Sequence, residues 1–484
     1  MEAALADNRA MSLRLAEELK RTSGRSSERI DPNQLKLFLG ELRQEQQPAA
    51  DNDDAQEVPN EPPPLKPKSS KDRRRARRPL PDDLPREEVR LVPTPEQLEG
   101  KNSMRKIGEE RSEALEYEPA RFKVIEYIRE TWSNVDGNIV TAPAPLKIID
   151  KGLPGVGLLT HVLLSKFLDH CPLARLSRVF ARGGVELHRN RLVDWVAATA
   201  FLLEPLARRI HELAMLSHVL QVDDTHLKVL DRKASKNIKR GHLWVLVGDQ
   251  AFVSFRYTEN WTAELADEFL GPRIGWMQVD GYGGYESIAK DRPLLLVGCW
   301  MHARRYLVKA LDAKDVRAAE PLDIIKRMCE VEAASKLAED THAQRYERRF
   351  KELVPLLDEL EQWKEDNRGV APPNEPLGRA WTYLDNHWKI LRVVEKDGAL
   401  KLDNGEVERV IRGPAMGRRN WLFAGSDEGA KRAAIVLTVL KTAKRAGVDL
   451  RAYLMDVLTK IAGGWKQARL DELLPHRWQA PASA

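Results

Sequence analysis

A chain of 484 residues holds roughly two to four domains' worth of sequence and can bury a large core. Charged residues make up 31% of it, but 78 basic against 73 acidic leaves only +5, which excludes an overall polycation and puts the weight on local charge. Three scattered cysteines, Cys171, Cys299 and Cys329, exclude a disulfide framework, and apolar runs such as Leu294 to Gly298 are far too short for a bilayer, so a cytoplasmic protein with no membrane partner is expected.

Residues 1–45 contain two helical stretches, MSLRLAEELKR and NQLKLFLGELRQE. Leu15, Leu19, Leu35, Leu39 and Leu42 form apolar faces at three- and four-residue steps. They make either a weak coiled coil or an amphipathic arm. Residues 46–88 are rich in Pro, Asp, Glu and Arg and cannot bury enough apolar surface to offset ordering, so a disordered linker is expected. Within it, KPKSSKDRRRARR sets eight basic residues, Arg73, Arg74 and Arg75 among them, against one Asp. That run either contacts DNA phosphates or is a solvated tether.

Residues 89–145 read as a small mixed segment with FKVIEYIRETW as a strand. Residues 146–215 are helical, and LARLSRVFARGG followed by VELHRNRLVDWV has the form of a helix-turn-helix. His188, Arg189, Asn190 and Arg191 open the second helix, where base-reading side chains sit in such units; an ordinary helical corner is the other reading. From residue 216 the character changes. VLQVDDTHLKVL, HLWVLVGD, AFVSFRYT, IGWMQVDGYGGY and PLLLVGCW are β-rich runs bounded by Gly, Asp or Pro, and MHARRYLVKAL then reads as a helix. Residues 312–400 are mostly helical, with Trp363, Trp381 and Trp388 and a loop at NRGVAPPNEP. A helix containing Glu408, another over about 428–446 and a last one near 450–461 complete the chain.

Two aspartates stand out. Asp223 lies inside a β-branched stretch, and Asp280 ends IGWMQV before a Gly-rich turn, positions that disfavour an unpartnered carboxylate. Each alone is also explained by a structural ion pair or a turn. Asp224 competes for the first position, because strand neighbours point to opposite faces. Glu408 is the third candidate, near a helix start where Asp403 and Glu406 resemble a capping box. A surface pair with Arg412, four residues on, explains it as well and contributes only about 0.2–0.5 kcal/mol. Three carboxylates gathered at one point repel one another unless cations sit among them, and Mg²⁺ or Mn²⁺ takes such hard oxygen ligands. Two such ions perform in-line phosphoryl transfer without a covalent intermediate.

The chain resembles the transposases of bacterial insertion sequence family 66. The likeness runs through GRSSERIDPNQLKLF, PLPDDLPREEV, IGEERSEALEYEPARFKVIEYIRETW, SKFLDHCPLARLSRVFARGGVELHRNRLVDW, QVDDTHLKVLD, QVDGYGGYE, GCWMHARRYLVKAL, DNGEVERVIR and GRRNWLFAGSDEGAKRAA. The resemblance implies an α/β fold with a ribonuclease-H-like mixed-sheet core, residues 216–311 and 401–446, interrupted by a helical insertion, 312–400, and followed by a helical tail, 447–484. It assigns catalysis and metal binding to Asp223, Asp280 and Glu408, with two Mg²⁺ or Mn²⁺ ions, and leaves Asp224 where the family usually has Glu. His302, Arg304, Arg305, Arg409, Arg412, Arg418 and Arg419 are expected near DNA phosphates. Partners implied are the terminal inverted repeats and target DNA, further copies of the chain and small accessory proteins, in a nucleoid-associated setting.

One departure stands against the family pattern. Its zinc module is built from CxxC pairs, but here LVPTPEQLEGKNSMRK and ETWSNVDGNIV contain neither Cys nor His. A structural zinc site needs four such ligands, so no structural zinc is expected in residues 89–145. Either that module holds by packing alone, or this copy is decaying into a DNA-binding remnant or repressor that no longer cuts.

Overall fold

The computed structural model describes residue 80 and residues 84–480, apart from short stretches at 94–104, 119–120, 135–137, 150–151, 235–236, 250–251, 261, 282, 291 and 370. The stretches expected to be N-terminal helices, and Arg73, Arg74 and Arg75, lie outside the described residues. The described residues belong to the compact unit that begins at Pro79.

The first sheet is built on β3 (Arg121–Ser133). It pairs in parallel with β1 (Arg86–Leu91) and antiparallel with both β2 (Arg105–Glu118) and the short β4 (Ile139–Thr141). Strand β1 begins inside the stretch expected to be linker. Its charged side chains are tolerated because it is an edge strand: Glu87 meets Lys123 at 3.1 Å and Arg90 meets Glu130 at 3.7 Å. Phe122, Val124 and Leu115 carry this sheet onto the main core.

Helices α1 (Val156–Phe167), α2 (Leu173–Arg182) and α3 (Arg189–Met215) follow. The α2–α3 turn passes through Gly184 at φ +82°, a left-handed position that glycine takes without a Cβ clash. His188 caps α3, its ring accepting the Asn190 N–H, and Arg189 and Arg191 are exposed at the helix start.

The second sheet has five strands in the order β7-β6-β5-β8-β9. β5 (Val219–Leu230), β6 (Ile238–Gly248) and β7 (Val253–Thr258) form an antiparallel meander, while β8 (Gly275–Gln278) and β9 (Leu294–Val297) run parallel to β5. Parallel pairing needs crossovers, and the helices α4 (Ala263–Leu270) and α5 (Gly284–Ala289) supply them. Alternation along the strands divides the core. Leu220, Val222, Trp244 and Leu246 pack with α4 and α5. Leu227, Val229, Val245 and Val247 face the other way, onto α3 and α12 (Asp427–Arg445).

After β9 the chain enters α6 (Trp300–Asp312), α7 (Ala319–Leu337), α8 (His342–Arg348), a π-helical turn (Arg349–Leu353), α9 (Val354–Asp366) and α10 (Pro376–Arg392). These build their own core around Trp300, Leu357 and Leu384. Fully buried Arg349 ties the bundle together: it meets Glu332 at 2.6 Å and donates to the carbonyls of Val394, Asp397 and Leu400. The chain then returns to the second sheet through α11 (Gly405–Trp421), and α13 (Leu450–Ala462) packs on α1.

The expected capping box at α11 is not formed. Asp403 accepts the Gly405 N–H at 2.8 Å, but Glu406 turns away to ion pairs with Lys401 and Arg445. Two cations on Glu406 outweigh one backbone N–H.

Candidate active site

Asp223 sits mid-way along the central strand, paired with Val245, and Asp224 is paired with Trp244. The pleat sends them to opposite faces. Asp224 is engaged on its own side, with Oδ2 2.7 Å from His242 Nδ1. Asp223 faces α11. Burial above all, and then the charge of Asp280, push its carboxyl up to about 7; Asp224 and Glu408 add to the rise, and the Asp224 N–H, donating to Oδ1 at 2.7 Å, opposes it.

Asp280 reaches the same neighbourhood through strand register. Gln221 of β5 and Gln278 of β8 are directly paired, and Gln221 Nε2 donates to Gln278 Oε1 at 3.1 Å. Two residues further along each chain come Asp223 and Asp280, which the same pleat turns to the same side. The Asp280–Gly281 backbone is fixed from α10: Tyr383 Oη donates to the Asp280 carbonyl at 2.8 Å, and His387 Nε2 donates to the Gly281 carbonyl at 2.6 Å. Only glycine suits position 281. Its φ is +90°, and a Cβ there would come within 2.9 Å of Tyr383 Oη and the His387 ring.

Glu408 lies in the first turn of α11, and that helix start is tied to the sheet by buried amides. Gln221 Oε1 accepts the Val407 N–H at 3.2 Å, and Gln221 Nε2 also donates to the Asp403 carbonyl. Asn404 Nδ2 donates to the Val222 carbonyl at 3.0 Å, and its backbone N–H points at Cys299 Sγ at 3.3 Å. The expected surface pair of Glu408 with Arg412 does not occur among the described residues. Glu408 Oε1 instead lies 3.7 Å from His302 Nε2 and 3.8 Å from Arg305. Tertiary packing brings these two side chains from α6, closer than the neighbour on the same helix.

Cys299, His302 and Glu408 each offer an atom within 4.8 Å of the others, a spacing that suits a metal ion. Burial pushes the Cys299 thiol up to about 11 and draws the His302 imidazole below its usual value.

The expected DNA contacts are dispersed. Arg409, Arg412 and Arg419 are exposed along α11, whereas Arg418 turns inward to donate to the His226 carbonyl. Arg305 is at Glu408, but the charge of exposed Arg304 is felt at Cys329 of α7. Gln221, Gln278, Asn404, Tyr383, His387 and His242 were not among the expected site residues. A signal for the first two exists: the triplet Gln-Val-Asp occurs at both aspartates, in QVDDTH and QVDGYG.

Comparison with known proteins gives a consistent picture along the chain. Residues 151–432 match the model of the Transposase IS66 family, and residues 438–476 match its C-terminal element. Residues 11–89 match the transposase C homeodomain of IS166, and residues 99–133 the zinc-finger binding domain of transposase IS66. Three proteins of Sinorhizobium fredii are similar. The uncharacterized protein y4hP is 32% identical over 85% of this chain and 78% of its own length. The uncharacterized protein y4jD is 31% identical over 93% and 90%, and y4qI is 31% identical over 78% and 72%.

The zinc-finger match overturns the expectation of no structural zinc, as does the cluster of Cys299, His302 and Glu408. In sequence Cys299 and His302 form a lone C-x-x-H, two ligands at most, and the fold adds Glu408 of α11 as a third donor. With more than half of its length inside the principal family match, the chain belongs to the IS66 family of insertion-sequence transposases.

Proposed function

We propose that this chain performs metal-dependent DNA strand cleavage and strand transfer at the ends of an insertion sequence, with Asp223, Asp280 and Glu408 as the metal-binding carboxylates. The observation that carries the reading is the geometry: the Gln221–Gln278 register sets Asp223 beside Asp280, and the Gln221 and Asn404 amides tie the Glu408 helix to the same strands, with the Asp223 carboxyl raised by burial and by the charges around it. Two carboxylates ~4 Å apart at an effective dielectric of ~20 repel by about 4 kcal/mol, a cost that hard divalent cations remove. The all-oxygen donor set fits such ions. A three-stranded antiparallel meander continued by two parallel strands, with the first aspartate on the central strand, supports reading residues 216–311 and 401–446 as a ribonuclease-H-like core around the insertion.

When bound, a pair of ions activates the attacking oxygen and stabilises the leaving one in an in-line displacement at phosphorus. The chain's own residues do the positioning. Gln221, Gln278 and Asn404 fix the distance between the aspartate strands and the Glu408 helix. Tyr383 and His387 fix the Asp280 backbone. Exposed Arg305, Arg409, Arg412 and Arg419 offer guanidinium groups to the phosphates on either side, and Arg189 and Arg191 at the start of α3 are candidates for base contacts. Water as attacking group frees a 3′-hydroxyl at the element end, and that hydroxyl then attacks target DNA at the same carboxylates. The substrates are terminal inverted repeats and target DNA, handled by an oligomer with small accessory proteins of the same element.

The test is strand cleavage of element-end DNA with Mg²⁺ or Mn²⁺. Wild type should cut, and Asp280→Asn and Glu408→Gln should bind the DNA without cutting it. Equal cutting by wild type and Asp280→Asn refutes the assignment. Binding without cutting by wild type identifies a DNA-binding remnant.

A further inference from the structure

His302 is set apart from the arginines near the carboxylates. Arg304 and Arg305, two and three positions on, are exposed, but His302 is half-buried on α6 and its Nδ1 is sealed from solvent without a hydrogen-bond partner. Its Nε2 lies 3.7 Å from Glu408 Oε1, beyond hydrogen-bonding reach. Among the described residues, then, neither ring nitrogen is satisfied. An ion beside Glu408 would engage Nε2, the ring nitrogen that faces the carboxylate across a gap too long for a hydrogen bond.

We propose that His302 is a metal ligand, so that the ion held by Glu408 takes an imidazole nitrogen from α6 as well as carboxylate oxygen. The inference rests on the carboxylate site proposed above and adds a donor of a different kind to it. The geometry allows it. Carboxylate oxygen and imidazole nitrogen each bind a first-row divalent ion at about 2.1 Å, so two donors on one ion lie at most about 4.2 Å apart; 3.7 Å falls inside that limit.

Cys299 completes the nearby trio but does not serve in the same way. Its sulfur is fully buried at the start of α6 and already receives the Asn404 N–H. Arg305 shares the Glu408 oxygen at 3.8 Å but is about half exposed and is free to turn outward to phosphate when an ion arrives. A site of mixed oxygen and nitrogen donors favours Mn²⁺ over Mg²⁺, because imidazole adds little to the binding of the harder ion.

The experiment uses Mn²⁺ as probe on the full chain stripped of metal, read by electron spin-echo envelope modulation. A directly bound ¹⁴N should modulate the echo of the wild-type complex. His302→Gln should lose that modulation and weaken Mn²⁺ binding roughly 10-fold or more, the loss seen even when an outer partner of a ligand is removed. Cys299→Ser should keep the modulation. Circular dichroism identifies a misfolded variant, and His302→Asn is the second choice.

Mn²⁺ bound in an Asp280-dependent way but without nitrogen modulation, or with modulation that survives His302→Gln, overturns the His302 assignment and leaves the carboxylate site standing. Mn²⁺ binding that Asp280→Asn does not alter overturns both.

Discussion

Replacing Asp223 by Asn should make the metal-free protein more stable, although it removes a proposed catalytic group. In the fold, burial and the charges of Asp280, Asp224 and Glu408 push the Asp223 carboxyl from its usual 3.8 up to about 7. A displacement of that size is roughly 4 kcal/mol of bias against the ionised form, at 1.36 kcal/mol per unit. The folded state therefore holds a proton that the unfolded chain releases, and between about pH 4 and pH 7 it binds more protons than the unfolded state does. Stability must then fall as pH rises through that window, and the full penalty is present above it. Asn carries no charge at any pH, so Asp223→Asn escapes the penalty.

Urea denaturation in EDTA at pH 5 and pH 8 measures the difference. Wild type should lose about 2.5 kcal/mol relative to the variant between pH 5 and pH 8, the rest of the penalty being already present at pH 5, and Mn²⁺ should restore wild type more than it stabilises the variant. Identical pH dependence for the two proteins in EDTA would refute the reasoning, because it would mean that Asp223 is not held among like charges.

Four further outcomes are expected. Gln221→Leu strands the Val407 N–H, a buried donor, and should cost about 1–3 kcal/mol in denaturant unfolding, with cleavage falling further than stability because Glu408 is no longer held in place. Gly281→Ala forces a Cβ against Tyr383 and His387 at a left-handed φ, a strain on the order of 1–3 kcal/mol; gel-shift affinity for DNA should be retained while strand cleavage drops. Arg349→Met leaves half-buried Glu332 without its partner and strands the carbonyls of Val394, Asp397 and Leu400, and should destabilise the 319–400 helices by about 3–5 kcal/mol, read as an earlier unfolding transition. If six to ten phosphates are neutralised, DNA affinity should fall roughly 10³–10⁵-fold from 50 to 200 mM salt, and a flat response in a filter-binding titration would argue against extensive backbone contact.

What the sequence determined by itself is local. Alternation and β-branching located β5 to β9, because a strand buried on a sheet must repeat every second residue, and the helix carrying Glu408 followed from its apolar stripe. Asp223 and Asp280 stood out as candidates because Asp inside VLQVDDTHL and at the end of IGWMQV conflicts with local preference, whereas Glu408, equally explained by a surface pair, took its expected role from the family resemblance. The partners of those residues were decided by tertiary structure. Asp223 and Asp224 are equivalent in the chain, and only the pleat against β6 and the position of α11 turn one toward Glu408 and the other toward His242. Tyr383 and His387 belong to a helix about a hundred residues beyond the Asp280 loop they secure, and no periodicity links them. Cys299 and His302 are only a C-x-x-H pair in the chain, whereas the fold brings Glu408 within 4.8 Å of both by packing two helices together.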